Sequence, residues 1–265
     1  KMIFKGGFLA ACGLLFFQLS TAKPMIVAHR GASFDAPENT LPAFELAWKQ
    51  KADAIEGDFL LTKDKQIVCI HDKTTKRFCQ QDLIVAETIL KDLKALDVGS
   101  WKRKKYAQTQ IPTIGEVFAT IPKGKKIFVE VKCGPEIIPP LISEIKKSDL
   151  EPDQIILICF KAGVISEFKQ KMPEFKAFWL SSFEKENFWK PSLKTVLSTL
   201  KNCNADGLDS QHTIPAEFSN AVLEAGFEWH AWTVNDVETA KRLAKRGIYS
   251  ITTDRPKLIG LGLGK

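Results

Sequence analysis

The chain has 265 residues and a formal net charge of +7, with 45% hydrophobic and 26% charged residues. This balance is typical of a folded globular protein, built as one large domain or two small ones. The basic residues do not form the clustered stripe that is typical of nucleic-acid-binding proteins. Their densest run, residues 102–105, is interpreted as a solvated loop. We therefore expect no nucleic-acid partner. Beyond the N-terminal segment, no run has the about 18 apolar residues that a membrane span needs.

The first 22 residues have the composition of an export signal. Two lysines precede an apolar run over residues 8–19, and small residues follow it as a cleavage site. We predict a signal peptide over 1–22, a single domain over 23–265, and a periplasmic or secreted location. Leu9–Cys12 also resembles a lipoprotein cleavage motif, so a form anchored through a lipid on Cys12 is the alternative.

Five cysteines follow this segment, an odd number at irregular spacing. The pattern matches neither a disulfide framework nor a zinc site. Cys69, Cys133 and Cys159 fall in strand-like runs, where we expect them to pack as small buried hydrophobic residues. Disulfide pairing and oligomeric state stay open at this point.

Short β-branched segments alternate with helix-like segments along the rest of the chain. The predicted strands are Met25–His29, Ala54–Phe59, Lys126–Lys132, Gln154–Phe160, Phe175–Ser181, Ala205–Asp209, Glu228–Val234 and Tyr249–Thr253. The predicted helices are Leu41–Gln50, Ile114–Ala119, Glu136–Lys147, Ala162–Gln170, Pro191–Leu200, Pro215–Glu224 and Asp236–Lys245. Eight such strands within about 240 residues predict an α/β protein with the (β/α)8 TIM-barrel architecture. A doubly wound open sheet is the alternative, but it usually has fewer strands and gathers its ligands at one switch point.

One additional strand, Ile67–Ile70, interrupts the alternation. It follows the second barrel strand too closely for a parallel crossover, so the two must form an antiparallel β-hairpin. A turn centred on Asp64 and Lys65 would place His71 opposite Asp58. The segment 73–113 would then be a long insertion after strand two with one short helix, Val85–Leu96.

Polar residues recur where the predicted strands end, and in a TIM barrel these ends form the active site. The second strand ends with Glu56 and Asp58, and a third carboxylate, Glu130, ends the next barrel strand. An all-oxygen set of this kind suits a hard divalent cation, Ca2+ or Mg2+, rather than zinc. His29 ends the first strand, and the hairpin would bring His71 beside the carboxylates. Each residue alone could be an exposed strand end, a structural histidine or a turn, but their recurrence at matching ends favours a site.

The chain resembles the glycerophosphodiester phosphodiesterase family, which has a phospholipase-C-like phosphodiesterase barrel. The resemblance rests on an ordered set of short motifs. They are His29-Arg30-Gly31, Pro37-Glu38-Asn39-Thr40, Glu56-x-Asp58, Leu61-Thr62-Lys63-Asp64, His71-Asp72, Ile111-Pro112-Thr113, Glu130-x-Lys132, Trp232-Thr233-Val234-Asn235 and Thr253-Asp254-Arg255-Pro256. Each motif is short, but the set in this order covers nearly everything after residue 22. Lys65, where a glycine is usual in the hairpin turn, and the small Gly57 depart from the family pattern.

The resemblance implies a reaction and a role for each matching residue. His29 and His71 would act as general acid and base, and Glu56, Asp58 and Glu130 would hold one divalent cation. Arg30 and Lys132 would contact the phosphate, and we place Glu38 and Trp232 with them as substrate-binding residues. The expected reaction is hydrolysis of a small glycerophosphodiester to glycerol 3-phosphate and an alcohol, through a cyclic phosphate.

Two other functions remain as alternatives. The first is a lysophospholipase D or a phosphatidylinositol phospholipase-like phosphodiesterase, which an apolar rim from Phe178–Trp189 would favour. The second is a non-catalytic protein that binds phosphate esters, which the presence of both histidines and all three carboxylates disfavours. We expect His212 and His230 to be structural.

Overall fold

The computed structural model describes residues 23–186 and 188–265. The predicted signal peptide over 1–22, with Cys12, lies outside the described residues. Among the residues that are described, no helix is both long and apolar enough to cross a bilayer.

The strands of the described chain form a closed barrel with two small additions. In chain order they are β1 (Met25–Ala28), β2 (Ala54–Leu61), β3 (Ile67–Cys69), β4 (Lys126–Val131), β5 (Ile155–Cys159), β6 (Lys176–Ser181), β7 (Glu184–Lys185), β8 (Trp189–Lys190), β9 (Gly207–Gln211), β10 (Glu228–Trp232) and β11 (Ser250–Thr253). Eight of them are parallel neighbours in the order β1, β2, β4, β5, β6, β9, β10, β11, and β11 pairs again with β1. The predicted (β/α)8 barrel is therefore confirmed.

Helices surround this barrel and follow most of the strands. They are α1 (Leu41–Lys49), α2 (Leu90–Lys94), α3 (Ile114–Phe118), α4 (Ile138–Lys147), α5 (Ala162–Lys171), α6 (Leu193–Asn202), α7 (Ala216–Glu224), α8 (Val237–Ala244) and α9 (Pro256–Gly262). The Asp236 side chain accepts a hydrogen bond from the backbone N–H of Thr239 and so caps α8. Gly226 and Gly247 adopt positive φ just after α7 and α8, which is the usual helix stop.

Some predicted elements differ from the structure. The helix predicted over Val85–Leu96 is a 3-10 turn at Val85–Glu87 followed by the short α2. Helix α6 begins after Ser192, whose hydroxyl caps it, and not at Pro191. The β7–β8 hairpin and α9 were not predicted, because each is too short to show a periodic pattern.

The two faces of each barrel strand pack differently. Side chains that point outward meet the helices in the main hydrophobic core. A smaller cluster, formed by alternate residues such as Ala54 and Phe128, fills the lower part of the barrel. Gly57 points outward, and a Cβ added there would lie 3.1 Å from Cys69 Sγ and 3.2 Å from Phe44 Cζ. The small size of Gly57 therefore serves packing against these two side chains.

The β2–β3 hairpin does form, but its predicted register is wrong by one residue. Phe59 pairs with Cys69 and Leu61 with Ile67, so Asp58 lies opposite Ile70 and not opposite His71. The cause is a turn of three residues, 63–65, instead of two. Lys65 closes it at φ 60°, the left-handed region that usually selects glycine.

A second hydrophobic cluster fixes this hairpin to the insertion that follows it. The cluster contains the β2–β3 residues Leu60, Val68 and Ile70 together with Phe78, Leu93 and Ile111 from the insertion. All of these side chains are at most 6% exposed. Because the hairpin ends at residue 70, this packing holds His71 and the residues after it above the barrel mouth.

Candidate active site

A pocket of about 160 Å³ opens at the carboxyl ends of the barrel strands. One side of it is charged and is lined by His29, Arg30, Glu56, His71, Glu130 and Lys132. The opposite side is mainly apolar and includes Ile158, Phe160, Leu180 and Trp232. The two histidines and most of the predicted ligands therefore face one cavity, although they come separately from β2 and from the ends of β1, β3 and β4.

Three carboxylates converge at the charged side. Glu56, Asp58 and Glu130 each offer an oxygen atom, and these atoms all lie within 4.8 Å of one another. Asp58 is fully buried, and Glu56 and Glu130 are 2% and 9% exposed. Glu56 Oε1 and Asp58 Oδ1 accept no hydrogen bond within the described chain, although Lys132 Nζ lies 3.4 Å from Asp58 Oδ1 as an ion pair. Buried carboxylate oxygens that accept no hydrogen bond are costly, which makes this cluster a candidate cation site.

The short distances between the three carboxylates and their burial change the pKa of each. Burial, together with the Asp58 carboxylate, raises the pKa of Glu130 to about 7 and that of Glu56 well above its ordinary value. Burial also opposes the ionised form of Asp58, but the nearby Arg30 and Lys132 outweigh it and lower the pKa of Asp58. Three hard oxygen donors that repel one another fit a divalent cation such as Ca2+ or Mg2+.

Two basic side chains flank the carboxylates. Arg30 Nε lies 3.1 Å and Lys132 Nζ 3.4 Å from the Asp58 carboxylate, and Lys132 also donates to Glu130 at 2.6 Å. The backbone at Arg30 has φ 55°, and its N–H donates to Glu56 Oε2 at 2.9 Å. The Asn39 amide donates to Asp58 at 2.8 Å and accepts from the Asp58 backbone N–H. These contacts fix the carboxylates and leave cationic groups at the cavity wall.

His29 is oriented by the last strand of the barrel. Its Nδ1 lies 2.7 Å from the carboxylate of Asp254, and its Nε2 lies 4.0 Å from Glu56 Oε2. Asp254 also accepts hydrogen bonds from Asn235 and Ser33. Although burial opposes its charge, the contact with His29 and these donors lower the pKa of Asp254 to about 2. An ionised Asp254 keeps the proton of His29 on Nδ1 and leaves Nε2 for the pocket.

His71 has a carboxylate partner of its own. Its Nδ1 lies 2.5 Å from Asp72, and Asp72 accepts from Arg77 Nε at 2.8 Å. The bond from Arg77 is the main reason why the pKa of Asp72 is about 2. Arg77 also holds Glu38, which accepts from Arg30 Nη1 at 2.8 Å. A continuous chain of ion pairs therefore links His71 to the arginine beside the carboxylate cluster.

The structure brings most of the predicted site residues together and separates one. His29, His71, Glu56, Glu130, Arg30, Lys132 and Trp232 line the pocket, and Asp58 lies directly behind them. Glu38, predicted to bind substrate, is not at the cavity wall. It lies between Arg30 and Arg77 and holds both in place.

The partners of the two histidines were missed. Asp72 and Asp254 belong to the motifs that carry the family resemblance, but the sequence assigns neither of them a role, and nothing local indicates that each meets an imidazole. His230 is structural, as expected: it is 1% exposed, stacks on Phe178 at 3.9 Å between ring centroids, and contacts Ser250.

Comparison with known proteins points to one family. The model of the glycerophosphoryl diester phosphodiesterase family matches residues 29–258. A glycerophosphodiester phosphodiesterase of Caldanaerobacter subterraneus subsp. tengcongensis is 32% identical over 244 residues, covering 89% of this chain and 96% of that protein. One from Bacillus subtilis is 28% identical over 257 residues, with 91% and 86% covered. The structure of an Oleispira antarctica phosphodiesterase in complex with the product sn-glycerol-3-phosphate superposes with a TM-score of 0.83 at 26% identity, covering 92% of this chain and 98% of that one.

Proposed function

Because the chain belongs to the glycerophosphoryl diester phosphodiesterase family, it is an enzyme that hydrolyses glycerophosphodiesters, and we propose that it does so by metal-assisted acid–base catalysis. In this proposal Glu56, Asp58 and Glu130 hold one divalent cation, and His29 and His71 transfer the protons. The observation that carries the proposal is the cluster of three carboxylates, two of them with oxygens that accept no hydrogen bond within the described chain, in a pocket that two oriented histidines share.

The basic residues beside the cluster provide for the phosphate. A bound Ca2+ or Mg2+ would neutralise charge on the phosphodiester and make the adjacent glycerol hydroxyl more acidic. Arg30 and Lys132 place cationic N–H groups at the same wall, where they can donate to the phosphoryl oxygens. Glu38 and Asp58 hold the Arg30 guanidinium from two sides, so its position is set before substrate arrives.

The two histidines are arranged alike for proton transfer. Each has Nδ1 against a carboxylate, Asp254 for His29 and Asp72 for His71, and each lines the pocket. The Nε2 atom of one histidine can take the proton of the attacking hydroxyl. The Nε2–H of the other, in the protonated state, can give a proton to the departing alcohol oxygen, which leaves a cyclic phosphate. Water then attacks the phosphorus with the histidine roles reversed, breaks the ring P–O bond and gives glycerol 3-phosphate. The carboxylates stabilise whichever ring is charged.

The apolar residues near the mouth favour a small substrate. Of the segment that could have formed a lipid-binding rim, Phe178 lies inside the barrel. Phe183 and Trp189 pack against Phe218, with ring centroids 5.6 and 6.4 Å apart. None of these three lines the pocket, and neither does the exposed Phe188; Leu180 is the residue of this segment that does. We therefore propose deacylated glycerophosphodiesters as the substrates in preference to lysophospholipids or phosphatidylinositol.

A single set of assays tests this proposal. The protein is treated with a chelator and then assayed with glycerophosphocholine, glycerophosphoethanolamine and lysophosphatidylcholine, with and without added Ca2+ or Mg2+. We expect glycerol 3-phosphate from the first two substrates only when a cation is present. Full activity in the chelated protein would remove the cation from the mechanism.

Two histidine variants complete the test of the mechanism. His29→Ala and His71→Ala should each lower kcat by about 10²- to 10⁴-fold, with an unchanged circular dichroism spectrum. His212→Ala is the matched control, because this histidine does not line the pocket. Normal turnover in either pocket variant would contradict the assignment of that histidine.

We also propose that the protein is exported, on the strength of the N-terminal signal pattern alone. Fractionation of cells that express the full chain with a C-terminal tag would show a shortened protein outside the cytoplasm. A lipid-anchored form would instead remain with the membrane fraction and lose that behaviour in a Cys12→Ala variant.

A further inference from the structure

One buried acid in the pocket has no role in the mechanism above. Asp209, on β9, is 1% exposed and lines the cavity. Its Oδ1 atom has no hydrogen-bond partner among the described residues. A buried carboxyl group without a partner is costly, so a structural residue at this position would be expected to be apolar or paired.

Asp209 lies across the barrel from the carboxylate cluster. Strand β9 is four strands from β2 in either direction around the ring, so Asp209 and Glu56 face each other over the cavity. The carboxyl group at 209 is not part of the group of oxygens within 4.8 Å that could hold one ion. Leu180, its register partner on β6, and Ile158 offer no hydrogen bond from their side chains. His230, its register partner on β10, contacts Ser250 through Nδ1 and Glu228 through Nε2.

The barrel is closed beneath this position. Phe178 and His230 stack with their ring centroids 3.9 Å apart, and Phe128 lies against both at 6.0 Å. No long group can pass downward through this aromatic layer. If the phosphate lies at Arg30 and the carboxylate cluster, an arm of the substrate that points into the barrel ends near Asp209. The proposed contact of the cation with the adjacent glycerol hydroxyl makes the glycerol the inner arm.

We propose that the Asp209 carboxyl group binds the free terminal hydroxyl of the substrate's glycerol and thereby selects deacylated substrates. This inference rests on the proposed function, because it assumes that the phosphate lies on the charged side of the pocket. A carboxylate at this position can accept a hydrogen bond from a hydroxyl, and a neutral carboxyl group can also donate one.

Recognition of this kind discriminates strongly between substrates. A lysophospholipid carries a fatty acyl ester in place of the terminal hydroxyl, so it would leave Asp209 without a partner and place an acyl chain against a closed floor. A site that hydrogen-bonds a substrate hydroxyl can reject an analogue without it by about 10⁴-fold. The wild-type enzyme should accordingly prefer glycerophosphocholine.

The first experiment compares two substrates in variants of Asp209. We measure kcat/KM for glycerophosphocholine and for a short-chain lysophosphatidylcholine below its micelle concentration, in wild type, Asp209→Asn and Asp209→Leu. Asp209→Leu should lower the value for glycerophosphocholine by about 10²-fold, chiefly through KM, and change that for the lysolipid by less than about threefold. Asp209→Asn, which keeps hydrogen-bonding atoms, should fall between. Equal losses on both substrates would overturn the inference.

The second experiment does not depend on turnover. We measure the rise in Tm that glycerol 3-phosphate and inorganic phosphate each cause in the Ca2+-loaded protein. Wild type should gain more from glycerol 3-phosphate, and Asp209→Asn and Asp209→Leu should lose most of that excess while keeping the response to phosphate. An unchanged excess would overturn the inference, as would a loss of Ca2+ affinity in Asp209→Asn, which would make this residue a metal ligand.

The two experiments separate the possible failures. If wild type hydrolyses none of the substrates, the proposed function fails, but the difference in Tm between the two ligands still tests Asp209. If Asp209→Leu does not fold, Asp209→Asn, which is nearly isosteric, carries the comparison.

Discussion

Arg77 holds both carboxylate oxygens of Glu38, with Nη1 2.8 Å from Oε2 and Nη2 2.9 Å from Oε1. The same guanidinium donates through Nε to Asp72, the partner of His71. One side chain from the insertion thus steadies a proton-transferring residue and, through Glu38, the arginine beside the carboxylate cluster.

Replacing Arg77 should therefore impair catalysis without removing any group from the pocket. In Arg77→Gln, we expect kcat to fall about tenfold because Asp72 loses its main partner and no longer holds the His71 ring firmly. The KM should change little, since Glu38 still contacts Arg30 directly. Steady-state kinetics over a range of pH would measure this, and the pH profile of kcat should shift because Asp72 is no longer held at a low pKa.

Arg103→Gln is the matched control for that variant, because Arg103 is an exposed arginine of the same insertion. It removes the same charge at a distance from the site and should retain wild-type kinetics. Equal effects of the two substitutions would mean that net charge, and not the contacts of Arg77, controls the rate.

Asp254→Asn should weaken catalysis more strongly than Arg77→Gln. The variant keeps the size of the side chain but loses the charge that holds the His29 proton on Nδ1 and stabilises the protonated ring. We expect kcat to fall by about 10²- to 10³-fold with a small change in Tm. Kinetics and a thermal melt would check both values. Asp236→Asn, which alters an exposed helix cap, serves as a control, and a loss of activity there equal to that in Asp254→Asn would contradict the assignment.

Without a cation, the stability of the protein should decrease as the pH rises from about 5 to about 8. The pKa of Glu130 is about 7 in the folded state and about 4.5 in an unfolded chain. A carboxyl group with a raised folded-state pKa favours the folded state when protonated, so its contribution is complete below the unfolded pKa and is lost as the pH passes the folded pKa. The loss for this residue is up to about 3 kcal/mol.

Thermal melts in a chelator at several pH values would show this trend. Glu130→Gln should flatten it, because the variant has no proton to lose at this position. Saturating Ca2+ should raise the Tm of wild type most at high pH, where the carboxylates are ionised. If the Tm of wild type and that of Glu130→Gln fall equally as the pH rises, ionisation of Glu130 does not cause the loss of stability.

Lys65→Gly should stabilise the protein. Lys65 is exposed and adopts φ 60°, a conformation that costs a residue with a side chain about 1 kcal/mol relative to glycine. We expect a gain of about 0.5 kcal/mol after the added freedom of the unfolded chain is counted. Urea unfolding would measure it. Lys63→Gly removes the same side chain from the same turn at a residue without positive φ, and it should destabilise the protein instead.

The barrel could be predicted from the sequence because its features are local and repeated. Each strand is a short β-branched run, and parallel strands place their carboxyl ends at one face. That rule alone predicts that His29, Glu56 and Glu130 lie at the same face of the barrel.

The finer geometry could not be predicted, because it depends on choices that the local sequence does not record. The register of the β2–β3 hairpin depends on whether the turn has two residues or three. The glycine that is usual at position 65 indicates a left-handed residue there, but it does not fix the length of the turn. His71 nevertheless reaches the pocket, since the packing of the insertion holds it there. Contacts between distant segments, such as that of His29 with Asp254, appear only once the ring of strands is closed.

Because of the contact between His29 and Asp254, the active site is complete only after the last strand has been synthesised and has paired with the first. His29 and Asp254 are 225 positions apart, and they meet because β1 pairs with β11. A chain interrupted before residue 254, or one whose final strand has not yet docked, carries His29 without its carboxylate. Full catalytic activity should consequently appear late in folding. The time at which product first forms during refolding would then report when β11 pairs with β1 and closes the barrel.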